Sequence, residues 1–341
     1  MKFRCCYFVF LKKFLLMLSI LLVASNGYSV TFKIATISPE GSMWMVKMRE
    51  GAKKVLEKTD NRVRFKFYPG GVMGNDKDVY RKIRINQLQG GTFPGGGLTR
   101  FFPGCQIYGQ LMKFSSIAEV NYVRKYMDKY IVDGLEKAGL ITFGLAGGGF
   151  AYIMSTDPVE TVHDLRRQKV WIPDNGEVIT DDIKAFGINP IPLSLVNVKP
   201  SMQTGVIDTI ATSPVGAIIL QWHTEVSYLI DMPFVYLFAA LAINKKSFLK
   251  ISEQDRKVVK TEMGKVFKEI GEQNIIDNNK ALQALKNQGI KFISPSKDAL
   301  NEWRSRAAKG SKLKIKSGVI NKDAAASLDK YIAEYKASKK D

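Results

Sequence analysis

From Ser252 to Gly289 no proline interrupts the chain, and that one run constrains the fold more than any other feature. Val259, Met263, Val266 and Ile270 recur at helical steps of three and four, and the pattern continues through Ala281, Leu282 and Leu285. Ser252 followed by Asp255 is the start signal of a capping-box type. The next proline is Pro295. A helix of about 36 residues is roughly 54 Å long at 1.5 Å per residue. That exceeds what a compact domain needs, so the helix either joins a coiled coil or crosses from one domain to another. Its apolar heptads do not persist, and the crossing helix is therefore expected.

The segments before it read as alternating strands and helices. Thr31–Thr36 is an alternating strand, and Met45, Met48, Ala52 and Val55 mark a helix. Val63, Phe65 and Phe67 alternate as a strand that ends at Pro69-Gly70-Gly71, and Asp76–Asn86 reads as a second amphipathic helix. This β-α-β-α rhythm predicts an α/β domain. Gly90–Gly97 (GGTFPGGG) is expected to be a loop; it lacks the Gly-Lys-Ser/Thr ending of a phosphate-binding loop. Leu140–Leu145 and Ala151–Ser155 are expected strands separated by Gly147–Gly149, a candidate hinge. Further on, Lys169–Ile172 is an expected strand, Glu177–Phe186 a helix, Val206–Ala211 a strand and Val215–His223 a helix. Met232–Ile243 reads as a buried strand, and Ile290–Ile293 as a closing one. The tail beyond Pro295 is helical, with Lys309, Lys312, Lys314 and Lys316 read as a solvated face.

The amino terminus bears on the meaning of the charge. The chain has 51 Lys+Arg against 32 Asp+Glu, a formal +19 over 341 residues. Lys2, Arg4, Lys12 and Lys13 precede the apolar run Phe14–Val23, and small residues follow to Ser29. This is the order of a secretory signal peptide, expected over residues 1–29. The run is shorter than the roughly 20 residues a membrane span needs. Loss of the leader's four basic residues leaves 47 against 32, a formal +15 on an exported, periplasmic protein. Export argues against nucleic acid as the partner of that charge.

Chemistry-bearing motifs are sparse. With 2 His and 3 Cys, of which Cys5 and Cys6 lie in the leader, neither a zinc site nor a disulfide framework is expected. No nucleophile elbow and no His-Glu-x-x-His is present. Asp181 and Asp182 are adjacent on a helix and point in different directions, so they do not read as a paired-acid site. No metal, cofactor or catalytic residue is expected, and the chain does not read as an enzyme.

Several stretches carry a family resemblance. Lys33-Ile-Ala-Thr with Pro39-Glu-Gly-Ser-Met-Trp44, then Arg62–Gly74, Arg81–Leu88 and Asp164–Pro173 (DLRRQKVWIP), occur in order. They are followed by Phe186-Gly187, Asn189–Leu193 and Met202–Asp208. From Lys33 to beyond Pro295 the chain resembles the solute-binding subunits of TRAP transporters, the DctP family. The resemblance implies a two-domain α/β periplasmic binding protein of the type II kind, with a cleft between the domains and a long helix spanning both. It also implies delivery of a small organic ligand to a permease of one small and one large membrane subunit, with no cofactor. The expected division is 30–149 plus 238–276 for the first domain and 150–237 plus 277–341 for the second.

One position departs from that family. The resemblance places an arginine, which clamps a ligand carboxylate, where Trp171 stands here. An assisting arginine would fall near Phe150–Tyr152, where none occurs. Indole offers one N–H donor and a broad apolar face, and cannot replace a guanidinium. The Val-Trp-Ile-Pro form, with Gln221-Trp-His later, resembles a branch associated with tetratricopeptide-repeat partner proteins and with hydrophobic ligands. Expected ligand contacts are therefore Trp171, Phe150, Tyr152, Thr212, Ser213 and Trp222, with Trp44, Phe93 and Arg100 from the first domain. The expected ligand is largely apolar. The alternatives are an organic acid held by Arg100 and backbone donors, an envelope interaction protein, and a secreted enzyme on the same fold.

Overall fold

The computed structural model describes residues 29–174 and 180–339. The expected leader, apart from Ser29, and the first residues of the helix expected from Glu177 lie outside the described residues. Strands β1 (Val30–Ala35), β2 (Val63–Tyr68) and β3 (Gly90–Pro94) alternate with helices α1 (Met43–Lys58) and α2 (Asp76–Arg84). Next come helix α3 (Ile117–Lys137) and strands β4 (Leu140–Thr142), β5 (Ala146–Ser155) and β6 (Trp171–Pro173). They are followed by helix α4 (Thr180–Phe186), strands β7 (Ile191–Leu193) and β8 (Thr209–Thr212), and helix α5 (Pro214–Ile219). Strands β9 (Tyr228–Ile230) and β10 (Val235–Asn244), helix α6 (Glu253–Asn287), strand β11 (Lys291–Ile293) and helices α7 (Lys297–Lys316) and α8 (Lys322–Ala337) follow, with shorter helices of four to six residues between some of these elements.

Two long strands tie two lobes together. In the first lobe β2, β1 and β3 are parallel, with Val30 opposite Val63 and Ile34 opposite Gly90, and β10 closes on β3 antiparallel through Ala239–Ile243. The other edge of β10 pairs with β4 and with the first half of β5. From Tyr152 onward β5 changes partners, pairing antiparallel with β8 and β9 in the second lobe, where β11 extends β9 in parallel. The short pair β6–β7 joins that lobe through a bridge from Val170 to Thr209.

Local chemistry sets the helix starts. Ser42, Asn75, Ser116 and Ser252 each accept a backbone N–H of the following turn on a side-chain oxygen. The helix α6 runs 35 residues. Its early turns pack on α1, where Gly51 lies so close that a Cβ would sit 2.4 Å from Val266 Cγ2. Its later turns pack on β5 and α5, so one helix serves both lobes. The closing helix α8 returns to the first lobe and packs on α3, with Leu328 and Ile332 in one core with Val120 and Ile131.

Several local expectations change. Gly147–Gly149 is no interruption but part of β5, because Asn274 and Asn278 of α6 donate to the carbonyls of Gly147 (2.7 Å) and Gly148 (3.0 Å). Gly149 takes φ +82°, and the pairing register with β10 shifts beside it. The glycine-rich stretch Gly90–Pro94 is a strand whose small residues let β10 approach: a Cβ on Gly90 would lie 2.3 Å from the Ala242 carbonyl oxygen. The helix expected over Val215–His223 is the shorter α5 followed by a tight turn from Trp222. Lys314 is not on a solvated face. It is 1% exposed, whereas Lys309, Lys312 and Lys316 are exposed.

Candidate functional site

The two lobes enclose a cleft of about 730 Å³. The first lobe contributes Trp44 at the start of α1, the Asn75-Asp76 corner that opens α2, and the turn after β3. The second contributes Trp171 of β6, the Thr212-Ser213 end of β8 and Trp222. Asn274 of the crossing helix lies on the same wall.

Trp171 is held in one orientation. Its Nε1 donates to the Leu193 carbonyl at 3.0 Å, and its ring meets Trp222 edge to face at 5.3 Å. Bonding to Leu193 uses the only donor of the indole, so what remains for a ligand is apolar surface. Trp44 Nε1 donates to Asn274 Oδ1 at 3.3 Å, and its ring stands edge-on to Phe267. Ser213 is the N-cap of α5 and accepts from the Gly216 N–H at 3.1 Å, while Asn278 Oδ1 accepts from the Val215 N–H at 3.2 Å. The end of β8 is thus fixed to the crossing helix.

Trp44, Trp171, Thr212, Ser213 and Trp222 line the cleft; the other four expected contacts lie off its wall. Phe93 is 1% exposed and packs edge to face on Phe101, on the core side of β3. Phe150 is buried against Tyr236, and Tyr152 pairs with Thr212 along the ladder. Each therefore shares a sheet face with a cleft-lining partner, Tyr236 or Thr212, but neither ring reaches the wall itself, where Ile153 of the same strand does. Arg100 is exposed and lies over the Tyr80 ring at 5.6 Å.

Polar residues that motif reading passed over also meet the cleft. Asn75 Nδ2 donates to Asp174 Oδ2 at 3.0 Å, a hydrogen bond from one lobe to the other. Asp76 is pushed up to about 6, first by burial and then by the charge of Asp174, while Arg100 pulls it down. Lys314 forms an ion pair with Asp182 and donates to Gln106 Oε1 of the first lobe at 3.3 Å. Burial raises the Asp182 pKa and Lys314 opposes the rise. Asp181, its neighbour, instead accepts from Ser317 Oγ, so the two acids diverge as helical geometry requires. The signal for Asp76 was the first turn after Gly74-Asn75; for Lys314 it was the step from Trp303 through Ala307 and Gly310 on one helix face, all buried.

Two α/β lobes joined by crossing strands, with a through-running helix and a cleft between them, define the class of periplasmic solute-binding proteins. The model of the DctP family, described as bacterial extracellular solute-binding protein, family 7, matches residues 34–313, and the chain belongs to that family. A solute-binding protein of Chromohalobacter salexigens is 28% identical over 212 residues, which span 61% of this chain and 62% of that one. The match therefore covers less than two thirds of that relative. A solute-binding protein of Roseobacter denitrificans is 22% identical over 81% of this chain and 88% of its own.

Solved structures share the fold. A TRAP periplasmic solute-binding protein of Chromohalobacter salexigens with bound D-glucuronate superposes with TM-score 0.79 at 21% identity, covering 89% of this chain and 99% of that one. The sugar-acid-binding protein of Advenella mimigardefordensis in complex with galactonate gives 0.82 at 16% identity, covering 91% and 99%. The family and these relatives are solute-binding proteins and not enzymes.

Proposed function

We propose that this protein is the extracytoplasmic receptor of a TRAP-type transporter, which captures a small, mainly apolar organic ligand in its cleft and delivers it to the membrane permease. The observation that carries the ligand class is Trp171: its single donor is spent on Leu193, and the edge of its ring left at the cleft, backed by the buried Trp222, is apolar. A cavity of this size whose wall is mainly apolar, with polar groups at defined places, is the usual form of a small-molecule site. The proposal includes a cleaved leader over residues 1–29 and a division near residues 149/150, 237/238 and 276/277. Within that division α8 goes with the first domain, on which it packs. It also includes the two permease subunits, with a tetratricopeptide-repeat protein as an accessory partner.

A second reading, a sugar-acid ligand, is favoured by the bound D-glucuronate and galactonate of the fold neighbours. The test is mass spectrometry of ligand co-purified from the native envelope, followed by calorimetry with that compound and with D-glucuronate. An apolar compound whose affinity falls about 10-fold or more in Trp171→Ala, as loss of a large aromatic contact predicts, supports the first reading. Tight D-glucuronate binding that Trp171→Ala leaves unchanged would sink it.

A further inference from the structure

The cleft carries charge of the opposite sign to the molecule. The chain is formally +19, yet among the described residues its cleft is lined by Asp76, Asp78, Asp174 and Asp182 with one cation, Lys314. Two of these acids are already answered: Lys314 is committed to Asp182, and Arg81 pairs with Asp78 at 3.4 Å. That leaves Asp76 and Asp174, one on each lobe. Asp174 accepts from Asn75, and Asp76 receives no hydrogen bond from a described residue. Arg100 reaches Asp76 with its charge but is itself exposed, over the Tyr80 ring.

Two carboxylates brought together across a cleft repel, and the repulsion grows as water leaves. Among the described residues only the exposed Arg100 offsets it, so the approach of the lobes is completed best by a positive group from the ligand. A second observation points into the same corner. Thr92 is 7% exposed, lines the cleft and the small cavity beneath Asp76, and its Oγ1 has no hydrogen-bond partner. On the remaining wall half-buried Trp44 and the exposed edge of Trp171 add aromatic surface, which attracts organic cations. Among the described residues no three His, Cys, Asp or Glu side chains gather as a metal ion would need. Among the described residues the one cation lining the cleft is neutralised within its own ion pair, which leaves a carboxylate ligand without a free counter-charge from them.

We propose that the ligand is an organic ammonium compound, its protonated amine seated between Asp76 and Asp174 with Thr92 beneath, and its apolar body against Trp44 and Trp171. This rests on the solute-binding reading and names the ligand's charge. The ammonium joins the two lobes, so binding and closure are one event.

Calorimetry and thermal shift on the full mature chain test it with probes of one shape: phenethylamine, 2-phenylethanol and 3-phenylpropionate, beside D-glucuronate and calcium chloride. The amine should bind about 10-fold or more tighter than the alcohol, as a charge-assisted hydrogen bond to a partly buried carboxylate predicts. Asp76→Asn and Asp174→Asn should each bring the amine down to the level of the alcohol and leave the alcohol where it was. A preference for 3-phenylpropionate or D-glucuronate overturns the ammonium and leaves the solute-binding reading standing. Equal affinity for amine and alcohol, or a shift from calcium alone, also overturns it. If none of the organic probes binds and no compound co-purifies, both readings fall.

Discussion

Between Val259 and Ile270 the crossing helix buries Val259, Met263, Val266, Phe267 and Ile270 against the first lobe. Beyond Gly271 the same buried stripe carries Asn274 and Asn278. The first stretch holds by apolar area, which is strong but tolerant of a small slide. The second holds by direction. Asn274 links the Gly147 carbonyl to Trp44, and Asn278 links the Gly148 carbonyl to the Val215 N–H. The polar half falls where β5 passes from one lobe to the other, so it fixes register at the place where the cleft geometry is set. Mid-helix asparagine is a poor helix former, and tertiary hydrogen bonds offset that weakness here.

The comparison is broken hardest in the apolar half. Met263→Ala empties a fully buried position packed on Gly51, away from the cleft, and should cost about 2–5 kcal/mol in urea unfolding, the range for large-to-small core changes. Ligand affinity of the remaining folded protein should change little. Asn278→Ala should show the reverse weighting. It leaves the Val215 N–H without its side-chain acceptor and should cost only about 1–3 kcal/mol of stability. It should nevertheless weaken ligand binding measurably, because Val215 and Ser213 lie on the cleft wall. If both variants lose stability alone, in the same proportion, the division of labour along the helix is wrong.

The smallest expected effect sharpens the contrast from the cleft side. Asp76 is raised to about 6 from its ordinary 3.8, so the folded state holds its proton more tightly than the unfolded chain does. Its contribution to stability is present below pH 4 and is lost as pH rises through about 6. Asp76→Asn should therefore gain stability relative to the parent between those pH values and then run parallel to it. Chemical unfolding at pH 3.5, 5 and 7 reads this directly. A difference independent of pH would mean that Asp76 is not held in a desolvated, like-charged corner.

Much of the architecture was legible because it rests on local periodicity. The step of three and four in Val259–Ile270 and the absence of proline predict the long helix, and Ser252 marks its start. The alternation in Val63–Phe67 predicts β2, and the stretch Asp164–Pro173 marks Trp171, which lines the cleft. Phe93 and Phe150 misled because aromatic residues beside glycine look alike in sequence whether they face a cleft or a core. Only the tertiary packing, on Phe101 and on Tyr236, shows that both rings are buried.

The sequence by itself determined the helix and strand rhythm, the family and the identity of residue 171, since each is written in neighbouring residues. The tertiary structure alone decided that Lys314 is buried with Asp182, that Asn75 reaches Asp174, and that Asp76 and Asp174 share one cleft. Those pairs lie far apart along the chain, and burial and charge are properties of surroundings. A lysine on an amphipathic helix has no local mark of what covers it, and an aspartate at a helix start has none of the carboxylate that another lobe brings opposite.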